Sequence, residues 1–262
     1  MIGRAYRFAQ ILSLDIVIGV VILLRFFCAQ FQVNPGWEVY VLLAATVWLI
    51  YTADHLRDAE NSASSTRERY VFHRTHRKTL IIVFVLLLIG ITPLIFFIPV
   101  VIFLGGLALA IFSFIYLLVQ QRLSRWLSKE LYVALVYSMG ILMVPMFLSW
   151  TFHLTSFLLL FLLTFVNLTI FSWYEKIEDE KDGFQSIATQ MNAIKLERMM
   201  LLLISIGLAL SFLLIDITHI YFFIGFSIYG FMILFSGYFG RNKLYRAVGD
   251  GVFLVPILFE WL

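Results

Sequence analysis

The sequence predicts an all-α, polytopic membrane protein, and three observations carry that prediction. Of its 262 residues 62% are hydrophobic and only 13% charged, with a mean hydropathy of +0.95. A soluble domain of this size needs far more charge on its surface. Apolar windows of about twenty residues, the length that crosses a bilayer as a helix, recur along the whole chain. Lys and Arg collect in alternate connections between those windows, as the positive-inside rule requires.

The windows give nine candidate helices, at about 8–28, 37–57, 79–97, 99–119, 131–151, 153–174, 197–215, 219–239 and 247–262. The N-terminal "MIGRAYRFAQILSLD" has the basic start of a signal peptide. The apolar run then continues to about Phe27 with Asp15 inside it, so an uncleaved first span is expected. The third and fourth spans meet at Pro99 and the fifth and sixth near His153, which makes both hairpins tight. The ninth is short and holds Asp250 and Pro256. The spans use almost the entire length, so residues 1–262 are read as a single transmembrane domain.

Eighteen of the 19 basic residues lie in the N-terminal segment and the even-to-odd connections; the exception, Arg25, sits near the far end of the first span. The N-terminus is therefore expected in the cytoplasm, most simply at a bacterial inner membrane. A net charge of +3, spread over membrane-proximal loops, gives no reason to expect nucleic acid as a partner. One cysteine, Cys28, excludes an intrachain disulfide framework.

Two helix ends break the apolar pattern. The second span closes on "YTADHLRDAE" and the sixth on "WYEKIEDEKDG". Residues four apart share a helix face, so Asp54 pairs with Asp58, Glu175 with Asp179, and Glu178 with Asp182. Like charges at that spacing repel, more so where water is scarce, and a helix C-terminus disfavours carboxylates through its dipole. A divalent cation bridged by the carboxylates is one compensation; Mg²⁺ suits it because it also bridges to substrate phosphates. Solvated helix ends in a cytoplasmic loop are the plainer reading of either cluster alone. An even number of crossings separates the clusters, so both fall on one membrane face.

With these residues in view the chain resembles the UbiA superfamily of intramembrane prenyltransferases. That family has nine transmembrane helices, an "NDxxDxxxD" motif ending the second and a "DxxxD" motif ending the sixth. Here "IYTADHLRD" supplies Asp54 and Asp58 for the last two acids of the first motif, with Ile50-Tyr51 in place of Asn-Asp. "EKIED", Glu175 to Asp179, stands for the second motif, and "EKDGFQSIA" places Gly183, Ser186 and Ile187 like the run that follows it. The resemblance implies a UbiA-like bundle in which Asp54, Asp58, Glu175 and Asp179 are catalytic and hold Mg²⁺, with Asp182 or Glu178 supplying a ligand lost with Asn-Asp. It implies an isoprenyl diphosphate donor, a hydrophobic aromatic or lipidic acceptor, and contact with membrane lipid.

A donor diphosphate carries about three negative charges, so basic side chains are expected to clamp it. Arg67 and Arg69 stand where the family's arginines follow the first motif, and Lys129 and Lys181 lie on neighbouring connections. Asp15, Tyr51 and Tyr174 are candidate cavity residues, Asp15 because an intramembrane acid normally faces a polar space or partner. His73 and His76 are expected to make interfacial hydrogen bonds rather than bind metal. An intramembrane terpene cyclase, a non-catalytic lipid-binding relative and a small transporter are the alternative functions.

Overall fold

The structure, a computed structural model, describes residues 3–61, 65–123, 128–214, 216–241 and 243–259, with side chains described except at 4 and 117–123. The described chain is helical, with no strand. The helices are α1 (Arg4–Ile11), α2 (Leu14–Gln30), α3 (Trp37–Asn61), α4 (Glu68–Thr75), α5 (Arg77–Ile91), α6 (Val100–Leu123) and α7 (Lys129–Ser149). They continue as α8 (Leu154–Asp182), α9 (Ile187–Gln190), α10 (Ala193–Ser211), α11 (Ile217–Leu234), α12 (Ser236–Arg241) and α13 (Leu244–Gly251). Two 3-10 segments, Thr92–Phe97 and Val252–Phe259, follow α5 and α13.

Five of these segments are long and apolar enough to cross a membrane: α3, α5 with its 3-10 extension, α7, α8 and α11; counting the bent pair α1–α2 makes six. That marks an integral membrane protein. Four of the nine expected spans are not among the five. For the fourth, the apolar helix counted among the described residues, Val100–Tyr116, is shorter than a crossing needs. The other three take a different form. The first is broken: α1 and α2 meet at 81°, with Ser13 in the left-handed region at φ 55°. Ser13 Oγ hydrogen-bonds His55 Nε2 at 3.0 Å, which pins the break to α3. Asp15 is thus in the first turn of α2, beside the break, not in the interior of one unbroken span. The seventh expected span starts four residues early, and α10 carries Lys195, Glu197 and Arg198. The ninth is α13 plus a 3-10 segment around Pro256, whose missing N–H and ring prevent a regular helix there.

Both acidic runs are helical to their ends. The helix α3 continues past residue 57, and α8 runs eight residues beyond the expected end at 174. Gly183 stops α8: at φ 75° it allows Phe184 N–H to reach back to the Asp179 carbonyl at 2.9 Å.

The core lies among α2, α7, α8, α10, α11 and the terminal 3-10 segment. Because lipid is as apolar as leucine, close packing rather than water exclusion has to hold such helices together. Rings supply it: Phe26 meets Tyr221 and Phe27 meets Phe222 at centroid distances of 5.5 and 6.2 Å. Gly249 admits a close approach of α13 to α8, since a Cβ there would stand 2.5 Å from the Phe171 ring. In α8, 56% of the apolar window is buried inside the protein, against 11% in α5. The outward faces of α5 and α6, including Leu86, Ile89 and Phe114, are apolar and suited to lipid.

Candidate functional site: two acidic helix ends joined by a basic loop

The chain between α3 and α4 links the two acidic ends. Ser65 Oγ donates to Asp182 Oδ2 at 3.0 Å, and Arg74 Nη2 donates to the Ser65 carbonyl at 2.7 Å. These bonds place Arg67, the residue that opens α4, against the end of α8. Its guanidinium nitrogens lie 2.9 Å from Asp179, 2.7 Å from Asp182, 3.7 Å from Glu175 and 3.8 Å from Glu178. The Asp179 contact is a hydrogen bond; Nε faces Asp182 without hydrogen-bond alignment. Burial works against the Arg67 charge, yet the bond and charge of Asp179 hold its pKa above the usual arginine value.

Glu175 is held from a second side. Its Oε1 accepts from Arg246 Nε at 2.6 Å and from Tyr245 OH at 2.9 Å, and Arg246 Nη2 lies 2.5 Å away. Lys243 approaches Glu178 at 3.7 Å. The repulsion along α8 is therefore relieved by arginine and lysine from the α3–α4 connection and α13.

The α3 end differs. Among the described residues Asp54 has one ion pair, with Lys129 Nζ at 3.4 Å, and both side chains are about a third exposed or more. Asp58 has no ion pair among the described residues. Between the two ends stands Arg69, half-buried, its guanidinium 5.3 Å from the Tyr70 ring centroid in a cation–π contact. It lies within electrostatic reach of Asp58 and Glu175, and also of Asp15 and Tyr51. Among the described residues no carboxylate comes within ion-pair distance of it.

A further group of polar side chains lies within the bundle. Asp250 of α13 lies within electrostatic reach of Asn167 on α8 and of Asp15, Arg246 and Glu175. Tyr51 lies within electrostatic reach of Asp250, Asp54 and Asp15, while the Tyr137 and Tyr221 hydroxyls are buried without a hydrogen-bond partner among the described residues. Such groups are costly in an apolar surround and mark a polar interior.

The predicted residues therefore divide. Asp54, Asp58, Asp15 and Tyr51 lie within electrostatic reach of Arg69 or of one another. Glu175, Asp179 and Asp182 are occupied by Arg67 and Arg246. Lys129 serves Asp54. Lys181 is exposed on the last turn of α8, with no ion pair among the described residues. Tyr174 turns toward α11, donating to the Met232 carbonyl at 3.0 Å and stacking on Tyr245. His73 and His76 bond the carbonyls of Arg69 and Phe72, one turn back.

Sequence reading missed Arg246, Asn167 and Glu130. Arg246 and Asp250 share a face in "YRAVGD", a spacing that was legible; their partners on other helices were not. Glu130 is buried, and its Oε1 accepts from Ser172 Oγ at 2.6 Å and from the Ile187 N–H at 3.0 Å. It ties the starts of α7 and α9 to α8.

The donor set does not fit a magnesium ion as arranged. Among the described residues no group of three or more His, Cys, Asp or Glu side chains is gathered to hold a metal. The α8 oxygens are directed at guanidinium nitrogens instead. Compared with family models, curated proteins and solved structures, the chain matches none of them. The likeness to prenyltransferases rests on the two motifs.

Proposed function

We propose that this chain is an integral membrane prenyltransferase whose isoprenyl diphosphate donor places its headgroup at Arg69, between the ends of α3 and α8. The carrying observation is Arg69 itself: a half-buried guanidinium among acidic helix ends, without an acidic partner of its own among the described residues. Arginine's planar fork suits phosphate oxygens, and a cation held without a carboxylate is available to a phosphate.

In the transfer, the donor C1–O bond breaks and its electron pair leaves on the diphosphate. The acceptor's nucleophilic atom supplies a new pair to C1 and loses a proton to a carboxylate, a role assigned to Asp58 because it has no ion pair among the described residues. The charge growing on the diphosphate is met by fixed cationic groups, the arrangement that stabilises developing anions most. The apolar bundle limits capture of the carbocation by water.

The proposal includes nine crossings, with the basic face and the N-terminus toward the cytoplasm of a bacterial inner membrane; the one-sided distribution of Lys and Arg supports it. The test is incubation of the full-length protein in lipid nanodiscs with radiolabelled farnesyl or geranylgeranyl diphosphate and a panel of aromatic and lipidic acceptors. Release of pyrophosphate with a prenylated product is the expected result, and loss of both in Arg69→Ala. Turnover unchanged in Arg69→Ala and in Asp58→Asn would exclude this site.

The ion pairs on α8 favour a second reading, a lipid-diphosphate-binding protein without turnover. It predicts donor binding that depends on Arg69 and no release of pyrophosphate with any acceptor.

A further inference from the structure

We infer that Arg67 occupies, as an internal cation, the position a divalent metal would take at the acidic end of α8, so that a prenyl diphosphate binds this protein without magnesium. The inference rests on the diphosphate-binding reading given above, although one arm of its test is independent of that reading.

Four carboxylates converge on the one guanidinium, two of them at 2.9 and 2.7 Å. The Arg67 side chain is 15% exposed, and those of Asp179 and Asp182 are 13% and 12%. Glu178, 48% exposed, forms the rim of this otherwise enclosed cluster. The loop is fastened independently of the arginine by the Ser65–Asp182 and Arg74–Ser65 bonds. The fourth carboxylate partnership, at Glu175, is completed by Arg246 and Tyr245.

Magnesium demands near-octahedral oxygen coordination at ~2.0–2.1 Å and gives up water reluctantly. Carboxylates spread around a planar guanidinium do not present such a shell while the arginine stays among them, and forming one would require displacing the Arg67 side chain. Replacement of Asn-Asp by Ile50-Tyr51 points the same way: an oxygen-ligand pair is absent from the opposing helix, where the α3 end keeps Asp54, itself paired with Lys129. One arginine thus offsets several acids on α8, and Arg69 is left to receive the phosphate oxygens.

The test uses the full-length chain in nanodiscs of phosphatidylcholine. Mn²⁺ is titrated alone and its bound fraction read by electron paramagnetic resonance; binding of radiolabelled farnesyl diphosphate is measured in EDTA and in excess Mg²⁺. The wild-type protein is expected to bind no stoichiometric Mn²⁺ in the absence of farnesyl diphosphate, and to bind farnesyl diphosphate with affinities in EDTA and Mg²⁺ that agree within about threefold, a difference worth under ~1 kcal/mol. Arg67→Gln frees the carboxylates and is expected to acquire one tight Mn²⁺, which Arg67→Lys does not. Stoichiometric Mn²⁺ on the wild type, or farnesyl diphosphate binding abolished by EDTA, overturns the inference while leaving the binding site in place. Absence of farnesyl diphosphate binding under both conditions removes the diphosphate reading instead, and the Mn²⁺ arm still decides the role of Arg67. If Arg67→Gln does not fold, the wild-type titrations alone are decisive.

Discussion

The ends of α3 and α8 carry the same kind of sequence, two carboxylates one turn apart on a helix C-terminus, yet they reach different electrostatic states. On α8 each of Glu175, Glu178, Asp179 and Asp182 faces a cation, with Arg67 common to all and Arg246 closing on Glu175. On α3, Asp54 has a single half-exposed lysine and Asp58 has no ion pair among the described residues. The difference teaches that an acidic motif fixes where repulsion must be relieved, not what relieves it. Neighbouring loops decide that, and here the loop from α3 reaches across to α8.

The comparison predicts unequal responses to mutation. Arg67→Ala leaves several enclosed carboxylates uncompensated and should cost the most, about 3 kcal/mol, the scale for removing one partner of a buried pair. Denaturation in mixed micelles is the check, and a loss below about 0.5 kcal/mol, the level of an ordinary surface change, would show that the α8 cluster is solvated after all. Next in size is Arg246→Gln, for which the link to Glu175 is the stated cause. Adding Glu175→Gln should restore part of the loss, with a coupling on the order of 1–2 kcal/mol in a double-mutant cycle. Additive effects would break the link.

At the α3 end, Asp54→Asn should change stability by no more than about 0.5 kcal/mol, because its partner is partly exposed and such pairs are weak. A large effect there would erase the contrast between the two ends.

The smallest expected effect concerns pH. His73 is buried, donates to the Arg69 carbonyl from Nδ1 at 2.8 Å if that nitrogen carries the proton, and has its pKa lowered, chiefly by burial and also by the Arg69 charge. The charged groups facing it include His76, which lowers it further. A histidine with a depressed folded pKa binds its proton more readily when unfolded. Stability should therefore be full above the unfolded value of about 6.5 and fall as pH drops below it toward the folded value. Melting temperature measured from pH 7.5 to 5 should show that decline, and His73→Asn should flatten part of it.

How much was legible beforehand follows from which forces act locally. Composition and apolar windows announced a helical membrane protein, because a span is a local requirement of length and hydropathy. They did not show the break at Ser13, which depends on a left-handed residue and a bond to His55 forty-two positions away. Nor did they show that the last apolar window is largely a 3-10 segment, although Pro256 was the visible reason. The acidic pairs were legible from four-residue spacing. Their partners were not, since Arg67 and Arg246 meet Glu175 across separations of more than a hundred and of seventy-one residues. Arg69 was named for its place after the first motif; what distinguishes it from Arg67, the absence of a carboxylate within ion-pair reach among the described residues, is a tertiary fact.

The most direct measurement of the central claim compares equilibrium binding of radiolabelled farnesyl diphosphate to the wild-type chain and to Arg69→Ala, both in nanodiscs and with matched melting temperatures. A loss of tenfold or more, about 1.4 kcal/mol, is predicted for the variant. Equal affinity in the two proteins would contradict the assignment of the headgroup to the space between α3 and α8.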